Sequence, residues 1–259
     1  MPPAGVSEVA VIALASTNGA PGVSSTCLGL TLAWPRPVLL LEADPRGLSA
    51  LLAGWFQGAG PYETGLVELA LSSLAPADAL REVALPFEGT QASFVAGLRT
   101  HTQAPTLRGQ WEPIAQALAE LDAEGTDVIV DAGALGYPGS PGPVLASADV
   151  TLLTLRSSLP SLAGARPWAD VVVRESLWRN PGLLLVGEKR PYTGREIAAS
   201  LSLPLMAQVA WDPKGAEFYS QGSRQPGSFE TSKYVRSLNA AVATLQTVLA
   251  HHRTLEVRA

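Results

Sequence analysis

The sequence predicts an α/β fold: a single doubly wound, mostly parallel sheet with helices on both faces. Two observations carry that expectation. Short, uniformly apolar runs bounded by turn residues recur along the chain, as strands buried on both faces require. Between them lie segments whose apolar residues repeat at helical spacing, and strand–helix alternation of this kind builds a parallel sheet. The chain has 259 residues, 47% of them hydrophobic, enough for a substantial core. Neither an internal repeat nor a long linker divides it, so residues 1–259 are read as one domain.

The elements follow in order. Val9–Ala15 (VAVIALA) is the first strand, Thr26–Ala33 the first helix and Val38–Ala43 (VLLLEA) the second strand. Residues 49–106 are less regular, rich in Ala, Leu, Gly and Pro; two helices and a strand near Ala92–Ala96 are expected there. Trp111–Leu121 has helical spacing, and Asp127–Asp131 (DVIVD) and Val150–Leu155 (VTLLTL) read as strands. Ser161–Glu175 and Gly194–Ser200 are helical, alternating with the weaker strands Gly182–Gly187 and Leu205–Ala210. Residues 232–252 place Leu238, Val242, Leu245 and Leu249 on one helical stripe. That stripe favours a core helix over a membrane-surface anchor, because only Lys233, Arg236 and Arg253 would face anionic lipid.

Charge and cysteine count narrow the function. The net charge of −5 provides no global basic field, which argues against nucleic acid as a partner. Cys27 is the only cysteine, excluding an intramolecular disulfide and any four-cysteine metal site. His101, His251 and His252 show no metal-ligand spacing, so neither an iron–sulfur nor a zinc site is expected. The N-terminal apolar run lacks a basic leader and is too short to span a bilayer. A cytoplasmic protein is expected, with peripheral association at the inner membrane left open.

The stretch GAPGVSST (19–26) has the length and position of a phosphate-binding loop, G-x-x-x-x-G-K-[ST]. In such a loop backbone N–H groups cradle an anion at a helix N-terminus, the lysine reaches the β/γ-phosphates, and the Ser/Thr hydroxyl helps hold Mg²⁺. Here Gly19 matches the first glycine, Ser24 replaces the second, Ser25 replaces the lysine and Thr26 keeps the hydroxyl. On these residues alone, a strand-to-helix turn capped by Ser24 or Ser25 fits equally well.

Longer blocks resemble the ParA/MinD family of deviant Walker ATPases. GVSSTCLGLTLA (22–33) and PVLLLEADPRG (37–47) are similar to the family's opening loop and helix and its strand ending DxDPQG. DVIVDAG (127–133) resembles its Walker B strand, residues 148–166 its next strand and helix, and residues 182–213 its final strands. The resemblance implies a P-loop NTPase-like fold that binds ATP or ADP with Mg²⁺. It also implies a homodimer, and a protein partner in a system that positions or assembles a cellular machine. Carried over position by position, Gly19, Ala20, Pro21, Gly22, Val23, Ser24, Ser25 and Thr26 form the phosphate loop. Thr26 and Asp131 hold the metal, and Asp44 is the catalytic switch aspartate that helps position the attacking water, with Glu42 before it.

The departures matter as much. Ser25 and Ala20 stand at the family's two loop lysines, and Pro21, between them, lacks an N–H. A Cβ at Ser24 disfavours the positive φ a glycine there would take. Arg46 replaces the family's glutamine and is the nearest cation to take a lysine's place, while Lys189, Arg190 and Lys214 follow later strands where base and ribose would sit. The asparagine that often ends the later strand and reads adenine appears as Gly187 or its neighbour. Charge-assisted hydrogen bonds contribute about 1.5–3 kcal/mol each, so two lost cations imply weakened nucleotide binding. Weak or absent hydrolysis follows, since phosphoryl transfer depends on positioning and charge stabilisation. Such degeneracy resembles the pilus-assembly (CpaE/TadZ-like) branch. The alternative is a nucleotide-independent dimeric scaffold on the same fold.

Overall fold

The computed structural model describes residues 9–17, 22–47, 49, 51–58, 63–121 and 125–256. Within them the apolar runs form strands and the periodic segments helices. In chain order these are β1 (Val11–Ser16), α1 (Val23–Leu32), β2 (Val38–Glu42), α2 (Leu66–Leu71), α3 (Pro76–Val83), β3 (Leu85–Pro86) and β4 (Ala92–Val95). There follow α4 (Trp111–Glu120), β5 (Asp127–Ala134), α5 (Gly142–Ser147), β6 (Val150–Arg156), α6 (Leu159–Glu175) and β7 (Pro181–Val186). The chain continues with α7 (Gly194–Leu201), β8 (Leu205–Val209), α8 (Pro213–Ser220) and α9 (Lys233–Glu256).

The strands form one eight-stranded sheet in the order β3-β4-β2-β5-β1-β6-β7-β8. Every neighbouring pair is parallel except β3–β4 at one edge. Alternate residues of each strand serve opposite layers, as the pleat requires. Ala13 and Ala15 of β1 join the layer covered by α2 to α7, whereas Ile12 and Leu14 join the layer of α1, α8 and α9. Both faces are therefore covered, which is why the strands read as continuous apolar runs rather than as alternation.

Three differences from the sequence expectation have physical causes. The two-residue β3 is too short to register as a run, and it pairs antiparallel only because residues 87–91 turn the chain back onto β4. The short α5 and α8 each open with proline in the first turn and bury few side chains, so they show little periodicity. Residues 49–106 hold, besides α2 and α3, one π turn at Leu51–Trp55 and a 3₁₀ segment at His101–Leu107. The C-terminal stripe is a core helix: Leu238, Val242, Leu245 and Leu249 of α9 are all buried. Among the described residues no helix is long and apolar enough to cross a membrane.

Candidate functional site

In parallel sheets, functional groups gather where strands end and loops begin, and three central strands end together here. Register places Leu14 of β1 opposite Asp131 of β5, and Glu42 of β2 opposite the same Asp131. The chain leaves β1 at Ser16 and starts α1 at Val23, so the first turn of α1 rises over these carboxylates. Gly19, Ala20 and Pro21 lie outside the described residues. Gly22 is the N-cap of α1 with φ +84°, the left-handed conformation that favours glycine. The positive φ thus falls on Gly22, while Ser24 lies within the helix; the strain expected at Ser24 does not arise.

The first turn of α1 holds no acidic residue of its own, so its positive end is left to groups outside the helix. Val23 and Ser25 are buried, and Thr26 is 2% exposed. The Thr26 N–H donates to the Gly22 carbonyl at 2.8 Å, closing the first turn. Its hydroxyl is engaged by no side chain among the described residues. The Ser16 hydroxyl, at the end of β1, is buried and has no hydrogen-bond partner among the described residues. Such an orphan is uncommon in a folded interior and marks a place where a ligand or water completes the structure.

Asp131 sits beside this turn. Its Oδ1 accepts from the Gly133 N–H at 3.0 Å, and the Ser24 hydroxyl also donates to the carboxylate. Burial, followed by the negative charge of Asp44, pushes its pKa up to about 6 against those two donors and the Arg46 charge. Glu42 is pushed up to about 7 by burial, although Ser49, Leu51 and Gly97 all donate to it. Those three bonds tie the end of β2 to the π turn and to the segment after β4, so Glu42 acts chiefly as a structural knot. Ser24, Ser25, Glu42 and Asp131 line a small cavity closed by Leu28, Leu51 and Tyr219, with room for about one water molecule.

Asp44 lies two residues beyond β2 and packs on Gly133. A Cβ at Gly133 would stand 2.1 Å from the Asp44 carboxyl carbon, so the glycine, at φ +61°, is what admits the side chain. Arg46 folds back onto the same carboxylate: its Nε lies 3.0 Å from both oxygens, and its backbone N–H donates at 2.9 Å. Arg46, the cation nearest in sequence to Asp44, is therefore committed to it, with Asp131 close enough to feel its charge.

Ser25, Thr26, Asp44, Arg46 and Asp131 thus converge on one sheet edge. Lys214 is exposed on α8, and Lys189 is exposed after β7. Arg190 instead joins Arg156 and Trp211 at the ends of β6 to β8, a group that sequence reading overlooked. The available signal was an arginine ending one apolar run and a tryptophan just after another. Ser16 was missed for a similar reason: it reads as the residue just after the strand, and only burial shows it unpartnered among the described residues. Among the described residues no three His, Cys, Asp or Glu side chains gather as a metal cluster.

No family model matches the sequence, and no curated relative matches it. Solved structures do. The cell-division ATPase MinD of Pyrococcus furiosus superposes with a TM-score of 0.73 at 16% identity, covering 92% of this chain and 99% of its own. The septum site-determining protein MinD of Pyrococcus horikoshii, complexed with Mg-ADP, gives 0.72 at 16% identity over 94% and 98%. A ParA family ATPase from Chlorobium tepidum gives 0.70 at 16% identity over 92% and 98%. The chain has the P-loop NTPase-like fold of the MinD and ParA ATPases. The likeness lends the narrower pilus-assembly expectation no support.

Proposed function

We propose that this chain is a ParA/MinD-like protein, one nucleotide-binding domain working in the cytoplasm in the positioning or assembly of a cellular machine. The observation that carries the reading is the meeting of an acid-free helix N-terminus, opened by Gly22, with Thr26 and Asp131 at the carboxyl edge of a parallel sheet. The residues fit a phosphate and a divalent cation. The Ser16 hydroxyl, unpartnered among the described residues, and the Thr26 hydroxyl can donate to an acceptor, and Asp131 keeps capacity for a cation. Thr26 and Asp131 would hold Mg²⁺, which supplies neutralisation of phosphate charge when bound. Main-chain N–H groups of the α1 first turn, with the helix dipole, would cradle the phosphates together with Gly19, Ala20 and Pro21. Asp44 would orient water, once Arg46 shares its charge with the incoming phosphate.

Binding is weak and turnover slow in this reading. Neither loop lysine is present, and a transition-state cation is worth about 10³–10⁵ in rate. Arg46, paired with Asp44, supplies only part of that charge. The protein acts as a homodimer with a protein partner, as the family resemblance implies. A second reading, a nucleotide-independent dimeric scaffold, draws on the same commitment of Arg46.

Calorimetric titration of MgATP and MgADP, with light scattering for oligomeric state, separates the two. Nucleotide binding in the millimolar range or tighter, weakened about tenfold or more by Thr26→Ala, is expected. A dimer that binds no nucleotide at millimolar concentration leaves the scaffold. Phosphate release as fast as in lysine-bearing ATPases would refute the impaired site.

A further inference from the structure

A second cavity opens on the carboxyl edge of the sheet, at the ends of β6, β7 and β8. Arg156 closes β6, Gly187 follows β7, and Trp211 lies just beyond β8; with Ser157, Ser158 and Arg190 they line it. The Arg156 guanidinium carbon stands 4.3 Å from the centre of the Trp211 ring system, and that of Arg190 stands 5.4 Å away. Ser157 fastens the two connections together. Its hydroxyl donates to the Gly187 carbonyl at 2.5 Å and accepts from the Arg190 N–H at 2.8 Å. Gly187, at φ +75°, lets the layers close: a Cβ there would meet Trp211 Cβ at 2.9 Å and Arg190 Cδ at 3.2 Å.

Among the described residues no carboxylate lines this cavity. Arg36, Arg46, Arg81, Arg99, Arg174 and Arg179 each rest on a carboxylate. Arg156 and Arg190 rest on none among the described residues. The Nε of Arg156 is buried and makes no hydrogen bond among the described residues. Burial lowers the Arg156 pKa, as expected for a cation held without a counter-ion. The nearby carboxylates are occupied elsewhere: Glu188 accepts from the Gly194 N–H, and Asp212 caps α8 through the Gly215 N–H.

The Trp211 ring covers the flat side of a guanidinium and leaves its N–H edges for an acceptor. The 17-residue α6 begins at Leu159, directly after the cavity wall, and Ser158 makes no side-chain cap bond to it. Its first N–H groups have no partner within the helix and add positive potential on the same side.

We propose that this cavity binds a phosphate-type oxyanion on the N–H edges of Arg156 and Arg190, above the Trp211 ring. The cavity lies at the strand ends where the family resemblance would put base and ribose, and the proposed anion binding holds whether or not residues 22–26 take a phosphate. The phosphate is either free or the monoester group of a mononucleotide.

Calorimetry with inorganic phosphate, 5′-AMP and adenosine tests this, with tryptophan fluorescence compared between the native chain and Trp211→Phe. Phosphate and AMP are expected to bind and to perturb Trp211, while adenosine does not. AMP tighter than phosphate identifies the monoester; equal affinities identify free phosphate. Arg156→Gln and Arg190→Gln each lower affinity about tenfold, and the lysine variants, which keep charge without the fork, fall between. Arg190 is exposed, so its variant folds regardless and keeps the proposal falsifiable. Thr26→Ala leaves phosphate affinity at this site unchanged, which separates failure here from failure of the loop. Adenosine binding as well as AMP, or phosphate affinity unchanged in the double glutamine variant, overturns it.

Discussion

Asp127 and Asp131 occupy the same strand, both nearly inaccessible to solvent, yet their surroundings are opposites. Asp127 starts β5 at the amino edge of the sheet, where it accepts from the Ala10 N–H at 2.8 Å, Trp34 Nε1 at 2.6 Å and two nitrogens of Arg36. Asp131 stands at the carboxyl edge beside Glu42 and Asp44, with two donors and a shared cation. A carboxylate whose lone pairs are filled is a rivet between segments. One left short of donors, and next to other carboxylates, is poised to take a proton or a cation. Equal burial therefore conceals unequal roles, and the donor count separates them.

The sharpest break in this contrast is Asp127→Ala. It strands the Ala10 N–H and the Trp34 indole N–H in the interior and removes the partner of Arg36. Unsatisfied buried donors cost about 1–3 kcal/mol each, and losing the bond to the partly exposed Arg36 adds little beyond that. A loss of about 3 kcal/mol, read from urea unfolding, is expected. Nucleotide and phosphate binding measured below the unfolding midpoint stay unchanged, because Asp127 is at the far edge.

Asp131→Asn should move stability the other way. Folded Asp131 holds its proton more tightly than the unfolded chain, with a pKa of about 6 against 3.8, and Glu42 about 7 against 4.5. Their share of stability is greatest below pH 4 and is lost as pH rises through about 6 and 7. The asparagine keeps an acceptor for Gly133 and has no charge to bury. At pH 7.5 it is expected to gain on the order of 1–2 kcal/mol, and at pH 4 almost nothing. A loss at pH 7.5 as large as that of Asp127→Ala would make the two residues equivalent. The same variant is expected to lose magnesium-dependent nucleotide binding, so stability and function part company at this position.

Much of this was legible in the sequence because strands buried on both faces declare themselves as apolar runs, and a residue that follows such a run must lie at a sheet edge. The roles expected of Thr26, Asp44 and Asp131 came from the loop motif and the family resemblance, and the ends of the apolar runs put the two aspartates at a sheet edge. Asp127 was not, since Trp34 and Arg36 lie some ninety residues away and nothing local announces the pairing. The Arg156–Trp211 cavity needs three strand ends to converge, which only the strand order β6-β7-β8 fixes. Arg46 was legible as a nearby cation but not as the partner of Asp44. That depends on Gly133 making room for the carboxylate.

The smallest effect tests this last pairing. Arg46 is about one-third exposed, and its bond to Asp44 is open to solvent screening. Arg46→Ala is therefore expected to lower stability by about 0.5 kcal/mol at most. Its electrostatic consequence is easier to see. The Arg46 charge opposes the rise in the Asp131 pKa, while Asp44 drives it. Without the guanidinium, Asp44 acts on Asp131 unopposed, and the pH at which Asp131 ionises moves upward. Thermal unfolding measured from pH 4 to pH 8 should show the downward step displaced to higher pH, and the displacement should shrink in 1 M salt. An unmoved step would mean that Arg46 holds only Asp44 and leaves the buried carboxylate to its own few donors.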